Sequence, residues 1–335
     1  MTTKLPITAF EFTQIMRSHG WFDLAPFVVV EQDKILEYAY DIPEGSGAIR
    51  IASDAAGDVI VAPLVGDADL AVLVARRVLS LDIDIAPLHE AVRGTEFSWI
   101  ATESYGRYLR GATLFENAFK IVMTTIKKWP QTKCIISKAV ELYGKKVDGK
   151  TLQAFPAPEA FAGLEKTEIM EDLRCGLRAK TVLALCARAK ENPDVLLGDA
   201  WQKMTDVEFH DALLGMEGLG DMCRSYLCRF YGKAGGPSID KWVVKPCNVI
   251  FGVEANKAAV KAFFKERYAR FGKHAASIFW FDITRYWHDG RKMTGKWWKP
   301  ITSNRNDTES GKVLSTIRGT SKKGRKVKSD RRSCS

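Results

Sequence analysis

The sequence has no long apolar run, which excludes a protein built on membrane-crossing helices. None of its apolar stretches approaches the roughly 18 residues that such a helix needs. Its first ten residues also lack the apolar centre of a secretory signal peptide. We therefore expect a soluble protein of the cytoplasm or nucleoid with no membrane partner.

Cysteines are few and scattered. The seven cysteines are an odd number and lie within apparent helices, so a framework of disulfides is not expected. Their spacing from the histidines gives no zinc signature, and no haem, flavin or nucleotide motif is found. The sequence therefore predicts no cofactor.

Net positive charge is absent outside the last 45 residues. The chain has a net charge of +10, but residues 291–335 hold fourteen Lys and Arg against three Asp and Glu, which leaves the preceding 290 residues close to neutral. This basic stretch has too little apolar surface to offset the entropy of ordering it. We expect residues 291–335 to form a largely disordered basic tail.

A small sheet domain is predicted over residues 1–88. Runs rich in β-branched and aromatic residues, separated by turn signals, predict antiparallel strands at Phe27–Val30, Ile35–Tyr40, Ala48–Ser53 and Val59–Ala62. An amphipathic helix follows from Asp67 to Leu81.

Residues 89–290 have helical periodicity almost throughout. A long helix is expected from Leu109 to Trp129, ended by Pro130, and further helices follow it. The fold class predicted is α+β: a mostly helical body with a small antiparallel sheet domain before it.

One stretch, residues 206–244, organises the body. Two short helices are joined by Gly218-Leu219-Gly220, and a glycine-rich loop then delivers Asp240 to the start of another helix. Glycines suit a turn with positive φ and close backbone approach. The amides of such a turn and of the following helix form an anion site that suits a DNA phosphate.

With these residues, the chain resembles the helix-hairpin-helix DNA glycosylases, and is similar to the branch of 3-methyladenine DNA glycosylase II and 8-oxoguanine DNA glycosylase. The motif residues are Gly218, Gly220, Gly235, Gly236, Pro237 and Asp240, with further matches upstream, and the resemblance spans roughly residues 10–290. It implies a lesion cleft in the helical body, double-stranded DNA holding a damaged base as partner, and base excision repair as the role. We expect a monomer.

Asp240 is the expected catalytic residue. Removing a base from deoxyribose passes through an oxocarbenium-like sugar, which a carboxylate stabilises. The helix start is expected to keep Asp240 ionised; the alternative is that Asp240 only caps the helix. Relatives that also nick DNA have a lysine two residues after the second hairpin glycine, where this chain has Met222. The resemblance thus implies a monofunctional enzyme.

The resemblance also suggests roles for residues around the cleft. Ile126 is the candidate wedge that fills the gap left by an extruded base, with core packing as the alternative. Candidates for the base pocket are Phe115, Trp129, Tyr226 and Trp280, and candidates for phosphate contact are Arg178, Lys180, Arg224 and Lys241. No metal centre is expected, but a monovalent cation at the Met216 and Leu219 carbonyls is implied.

The expected substrate is an alkylated purine, suggested by Met222 and Ile126. One alternative is a bifunctional glycosylase, or a glycosylase for oxidised or deaminated bases, that also has lyase activity at abasic sites. The other is a helix-hairpin-helix protein that binds DNA without catalysis. The acidic residues Glu217 and Asp221, placed where DNA would approach, keep the last alternative open. The basic tail is expected to add sequence-independent affinity for DNA.

Overall fold

The computed structural model describes residues 2–30, 34–149 and 151–288. The predicted basic tail of residues 291–335 lies outside them. Within the described residues, no helix is both long and apolar enough to cross a membrane.

A five-stranded antiparallel sheet forms the N-terminal part. Its strands are arranged in the order β1-β5-β4-β3-β2, with bounds β1 Thr3–Thr8, β2 Phe27–Val30, β3 Ile35–Ile42, β4 Gly45–Ser53 and β5 Asp58–Val65. The four predicted strands are confirmed. The edge strand β1 was missed because it contains Pro6, a residue that argues against a strand; it pairs with β5 and buries Leu5 and Ile7.

Helices cover one face of the sheet and build the body behind it. Near the sheet these are α1 (Ala9–Met16) and α2 (Ala68–Val78). The body contains α3 Ala86–Val92, α4 Trp99–Thr102, α5 Leu114–Thr124, α6 Trp129–Tyr143, α7 Lys166–Leu173, α8 Arg178–Glu191, α9 Pro193–Leu196, α10 Asp206–Leu214, α11 Asp221–Phe230, α12 Lys241–Phe251, α13 Lys257–Tyr268 and α14 Ala275–His288. The α+β class is therefore confirmed.

The long helix expected from Leu109 to Trp129 is wrong in an informative way. The helix α5 ends at Thr124, and Pro130 lies in the first turn of α6 rather than ending α5. Proline suits the first turn because the amide hydrogen it lacks has no helical acceptor there. The break leaves residues 125–128 as an exposed connection.

Buried polar contacts join the sheet to the body. The hydroxyl of Tyr38 on β3 donates to Glu116 on α5, and Glu116 also pairs with Lys120 at 2.6 Å. All three side chains are buried. Breaking one partner of such a network leaves an uncompensated buried group, so these contacts fix the sheet against the body.

Candidate active site

One glycine builds the turn between α10 and α11. Gly218 has a φ of +85°, and a Cβ placed there would lie 2.0 Å from Oγ1 of Thr181 on α8. The amide of Leu219 donates to the carbonyl of Met216 at 3.2 Å and closes the turn. Gly220 caps α11 with a φ of −68° and meets no atom where a Cβ would stand. Positive φ is thus confirmed for Gly218 and wrong for Gly220, whose missing side chain leaves room beside the first amides of α11.

The acidic residues of the hairpin have cationic partners. Glu217 pairs with Lys180 at 2.6 Å, and Asp221 pairs with Arg224 one turn along α11. Exposed pairs of this kind add little stability. They do neutralise the two carboxylates that weighed against phosphate binding at this turn.

The hairpin carbonyls do not fit the monovalent cation that the resemblance implied. Nη1 of Arg224 donates to the carbonyl of Leu219, and the carbonyl of Met216 accepts the Leu219 amide. A guanidinium therefore takes the place at Leu219 that a cation would need. Within the described part of the chain, no group of three His, Cys, Asp or Glu side chains could hold a metal ion either.

The loop after α11 lies directly on that helix. A Cβ on Gly235 would stand 2.7 Å from Cβ of Cys228, so the close approach requires glycine. The loop then turns through Ser238, whose φ is +50° and whose Oγ accepts a hydrogen bond from Nη1 of Arg229 at 3.4 Å. This contact brings the start of α12 to the side of α11.

Asp240 is the N-cap of α12. Its Oδ1 accepts a hydrogen bond from the Val243 amide at 2.8 Å, and its side chain is only partly buried. Burial raises the pKa of Asp240 above its ordinary value. Hydrogen bonds from the Val243 and Trp242 amides and the charges of Lys257 and Arg229 lower the pKa, but by less than burial raises it. The expected position at a helix start is confirmed, but burial outweighs the amides that were expected to favour ionisation.

Aromatic rings lie beside Asp240. The rings of Tyr226 and Trp280 meet edge to face with centroids 5.7 Å apart, and Trp242 lies 5.4 Å from Trp280. Burial, and after it the charge of Asp240, raises the pKa of the Tyr226 phenol. Trp242 follows Asp240 by two residues, so its ring contact with Trp280 brings the start of α12 to this aromatic pair. Cζ of Arg229 lies 4.4 Å from the centroids of both Tyr226 and Trp280.

The connection between α5 and α6 presents an apolar side chain to solvent. Ile126 is 98% exposed and has a φ of +56°, a conformation that is a genuine outlier for a β-branched residue. Arg178 holds the connection in place: its Nε donates to Oγ1 of Thr125 at 2.9 Å, and its Nη2 donates to the Thr125 carbonyl. Strain of this kind persists where the surroundings impose it, often at functional sites.

No family model matches the sequence, and no curated protein sequence does either. Solved structures do match. The 3-methyladenine DNA glycosylase of Archaeoglobus fulgidus aligns with a TM-score of 0.64 at 17% identity, over 85% of this chain and 99% of its own. The 8-oxoguanine glycosylase/lyase of Clostridium acetobutylicum, in complex with double-stranded DNA, aligns with a TM-score of 0.60 at 17% identity, over 85% and 97%.

The chain has the helix-hairpin-helix glycosylase fold. Both matches span nearly the whole of the solved chains, so the likeness covers the sheet and the body together. At this level of identity the likeness concerns architecture, and chemistry has to be argued from the side chains.

Within the glycosylase fold, the four aromatic candidates divide into two groups. Tyr226 and Trp280 lie together beside Asp240. The ring of Phe115 instead contacts Phe119 and Phe155, and Nε1 of Trp129 donates to Asp23 at 3.0 Å. The structure thus brings together two of the four, and a role in base binding stays a prediction for Tyr226 and Trp280.

Phe115 lines a different cavity of about 390 Å³ where the sheet meets the body. Tyr38, Glu116 and Phe155 also form its walls, and Asp240 is not among the residues around it. Both Glu116 oxygens are already engaged, by Tyr38 and Lys120. This cavity is therefore separate from the candidate active site.

The phosphate-contact candidates also differ in what they already bind. Arg178 is committed to the Thr125 connection, and Arg224 to Leu219 and Asp221. Lys180 is exposed and paired with Glu217, while Lys241 is exposed in the first turn of α12. Lys180 and Lys241 remain the candidates whose ammonium groups could reach DNA.

Sequence reasoning missed Arg229, which is 2% exposed and lies among the rings beside Asp240. A signal was present, because Arg229 follows Tyr226 by three residues on the same helix and so shares its face. Arginines on helices are usually solvated, and the rings of Trp280 and Tyr108, from distant parts of the chain, help to enclose this one.

Proposed function

We propose that this chain is a monofunctional DNA N-glycosylase, acting as a monomer on double-stranded DNA that contains a modified base. One observation carries the proposal: the glycine loop brings Asp240 to the start of α12, whose Trp242 packs on the aromatic pair formed by Tyr226 of α11 and Trp280 of α14. A chain that served only as a DNA-binding relative would not require a partly buried carboxylate next to those rings.

The chemistry follows from the carboxylate. The target nucleotide must leave the duplex, because C1′ cannot be reached inside the stack. As the bond from C1′ to the base nitrogen breaks, its electrons leave with the base and positive charge develops on the sugar. Asp240 offers negative charge to that sugar and accepts a proton from the attacking water, whose oxygen bonds to C1′. The proton that Asp240 accepts then passes to the nitrogen of the departing base, so the products are the free base and an abasic site, and Asp240 is again a carboxylate.

The hairpin is proposed to hold the DNA backbone. Gly220 leaves room beside the first amides of α11, and these amides and the helix dipole favour an anion. Lys180 and Arg224 pair with Glu217 and Asp221, so the two acids do not repel a phosphate at full strength. Ile126 is proposed as the wedge, since its exposed apolar side chain projects from a connection that Arg178 holds in a strained conformation.

Water is the proposed nucleophile. Met222 occupies the position two residues after Gly220 and has no amine. Lys233 does have an amine, in the loop after α11. It donates to the Met204 carbonyl, and burial lowers the pKa of Lys233. A lyase reaction through Lys233 is the competing mechanism. It would form a Schiff base that borohydride traps as a covalent complex of protein and DNA.

The test is a panel of duplexes, each with one modified base, incubated with the full chain and then treated with mild alkali to cleave abasic sites. We expect alkali-dependent cleavage of at least one duplex and no borohydride trapping. Cleavage without alkali would favour the bifunctional alternative, and affinity for abasic DNA without any base release would favour the non-catalytic one. The alkylated purine expected from Met222 and Ile126 stays a prediction that the same panel tests.

A further inference from the structure

Arg229 is a buried cation in the wall of the candidate active site. It is 2% exposed, and its Cζ lies 4.4 Å from the ring centroids of Tyr226 and Trp280 and 5.8 Å from that of Tyr108. Its Nη1 donates to Oγ of Ser238, two residues before the proposed catalytic carboxylate, and its charge lowers the pKa of Asp240. The guanidinium thus lies against both of the rings that are the candidates for stacking on a base.

The hydrogen-bonding capacity of Arg229 is largely unused. Nη1 donates to Oγ of Ser238 at 3.4 Å, while Nε and Nη2 are buried without a hydrogen-bond partner in the described structure. Burying donors without partners is costly. Arginine offers five donors in a fixed plane, and the unused ones suit an acceptor that arrives from outside.

Arg110 shows what a structural arginine looks like in this protein. It is equally buried and also lies over two rings, those of Trp201 and Tyr231. Each of its nitrogens has a partner: Nε donates to the Arg77 carbonyl, Nη1 to the Phe230 carbonyl and Nη2 to the Asp82 carboxylate. Arg229 has the ring contacts, but of its nitrogens only Nη1 has an acceptor, so packing alone does not explain it.

A second buried group nearby has an unused acceptor. His19 stacks on Phe230, the residue after Arg229, at 4.6 Å between centroids. Its Nε2 lies 2.7 Å from the Leu109 carbonyl and must carry the proton, which leaves Nδ1 as an acceptor without a partner. Burial lowers the pKa of His19 to about 3, so the ring is neutral at neutral pH.

We propose that Arg229 selects the extruded base, donating its unused N–H groups to the carbonyl oxygen of a neutral keto base and rejecting cationic bases by charge. The inference rests on the proposed glycosylase function and specifies its substrate class, a neutral keto base in place of the alkylated purine expected from the sequence. A cation already lies against the rings, so a cationic alkylated purine would meet repulsion there in addition to the cation–π attraction. A keto base also has a ring N–H beside its carbonyl, which His19 Nδ1 could accept.

Unmodified guanine and thymine share the keto edge. Selection against them falls to the energy needed to open a normal pair, which is lowest for damaged or mismatched bases. Arg229 therefore discriminates only among bases that have already left the stack.

The test compares keto and cationic bases in one assay. Single-turnover base release is measured for the wild-type chain and Arg229→Met on duplexes with one hypoxanthine, uracil, 8-oxoguanine or 7-methylguanine, the last of which is cationic. We expect the wild type to release at least one keto base about tenfold or more faster than 7-methylguanine. Arg229→Met should lower the keto rate by a similar factor and raise the rate for 7-methylguanine.

Stability separates a role in selection from a structural role. Arg229→Met removes an unpaired buried charge, so its Tm should equal or exceed that of the wild type, whereas Arg110→Met should lower Tm. An equal fall in Tm for both variants, or an equal loss of release for all bases in Arg229→Met, would overturn the inference.

The wild-type ranking decides the matter even if Arg229→Met does not fold. Faster release of 7-methylguanine than of any neutral keto base, with each rate divided by that of uncatalysed release, overturns the inference and leaves the proposed function standing. If no base is released from any duplex, both the inference about Arg229 and the proposed glycosylase function are wrong.

Discussion

Asp67 and Asp240 cap their helices with the same hydrogen bond. Oδ1 of each accepts from the amide three residues further on, at 2.9 Å for Asp67 and 2.8 Å for Asp240. Asp67 is exposed beside the sheet, whereas Asp240 is partly buried beside Tyr226. Capping is therefore common to both, and the surroundings distinguish the proposed catalyst from an ordinary cap.

The two hairpin glycines should respond differently to alanine. Gly218→Ala places a methyl group on Oγ1 of Thr181 at a φ of +85°, so we expect a loss of a few kcal/mol in the free energy of unfolding. Gly220→Ala has space for the methyl group and should change stability by less than about 1 kcal/mol while weakening DNA binding. Thermal unfolding and the Kd for abasic duplex measure both. Wild-type affinity in Gly220→Ala would show that no phosphate approaches the turn.

Ile126→Gly should separate stability from function. Glycine relieves the left-handed strain and removes no buried surface, so Tm should not fall. Base release should fall by about tenfold or more, because nothing then fills the gap left by the extruded base. Leu142→Ala, another change at an exposed apolar residue, is the control and should leave base release unchanged. A normal rate in Ile126→Gly would rule out the wedge.

Arg178 and Lys241 should differ in how they affect the salt dependence of DNA binding. Arg178 donates inward to Thr125, so Arg178→Gln should slow base release and leave the salt slope unchanged. Lys241 is exposed in the first turn of α12, so Lys241→Gln should reduce the slope by about one unit. Kd measured across a salt series decides between these roles. A reduced slope for Arg178→Gln would instead make it a phosphate contact.

Base release should have an acid limb set by Asp240. The reaction needs the carboxylate, and burial raises the pKa of Asp240. As the pH is lowered, base release should therefore begin to fall at a pH above the ordinary pKa range of aspartate. The contribution of Asp240 to folding stability depends on pH in the opposite direction. The folded state holds the proton more tightly, so this group's contribution falls as pH rises from the unfolded pKa through the folded one. Rate profiles and unfolding at several pH values, compared with Asp240→Asn, test both signs. An acid limb at or below the ordinary value would contradict the role of Asp240.

The sequence predicts the ordered backbone features well, because each depends on local chemistry. Gly218 and Asp240 were placed correctly because a left-handed turn and a helix cap are encoded within a few residues. The mistakes depend on context. Pro130 was expected to end a helix and begins one, since proline fits both sides of a break, and the short strand β1 exists only through its pairing with β5.

The site depends on contacts between distant segments. Tyr226 and Trp280 are 54 positions apart, and their ring contact follows from the packing of α11 and α14. Phe115 looked equivalent in sequence, yet it lines the cavity at the sheet. Arg229 resembled a solvated helical arginine until the structure enclosed it.

The most direct measurement is single-turnover base release by Asp240→Asn beside Asp67→Asn, on whichever duplex the wild type cleaves best. Asparagine caps a helix about as well as aspartate, so both variants should fold with a Tm near that of the wild type. We predict that Asp240→Asn loses base release by about a hundredfold or more while still binding the duplex, and that Asp67→Asn keeps the wild-type rate. Release by Asp240→Asn at a rate close to that of Asp67→Asn would contradict the account.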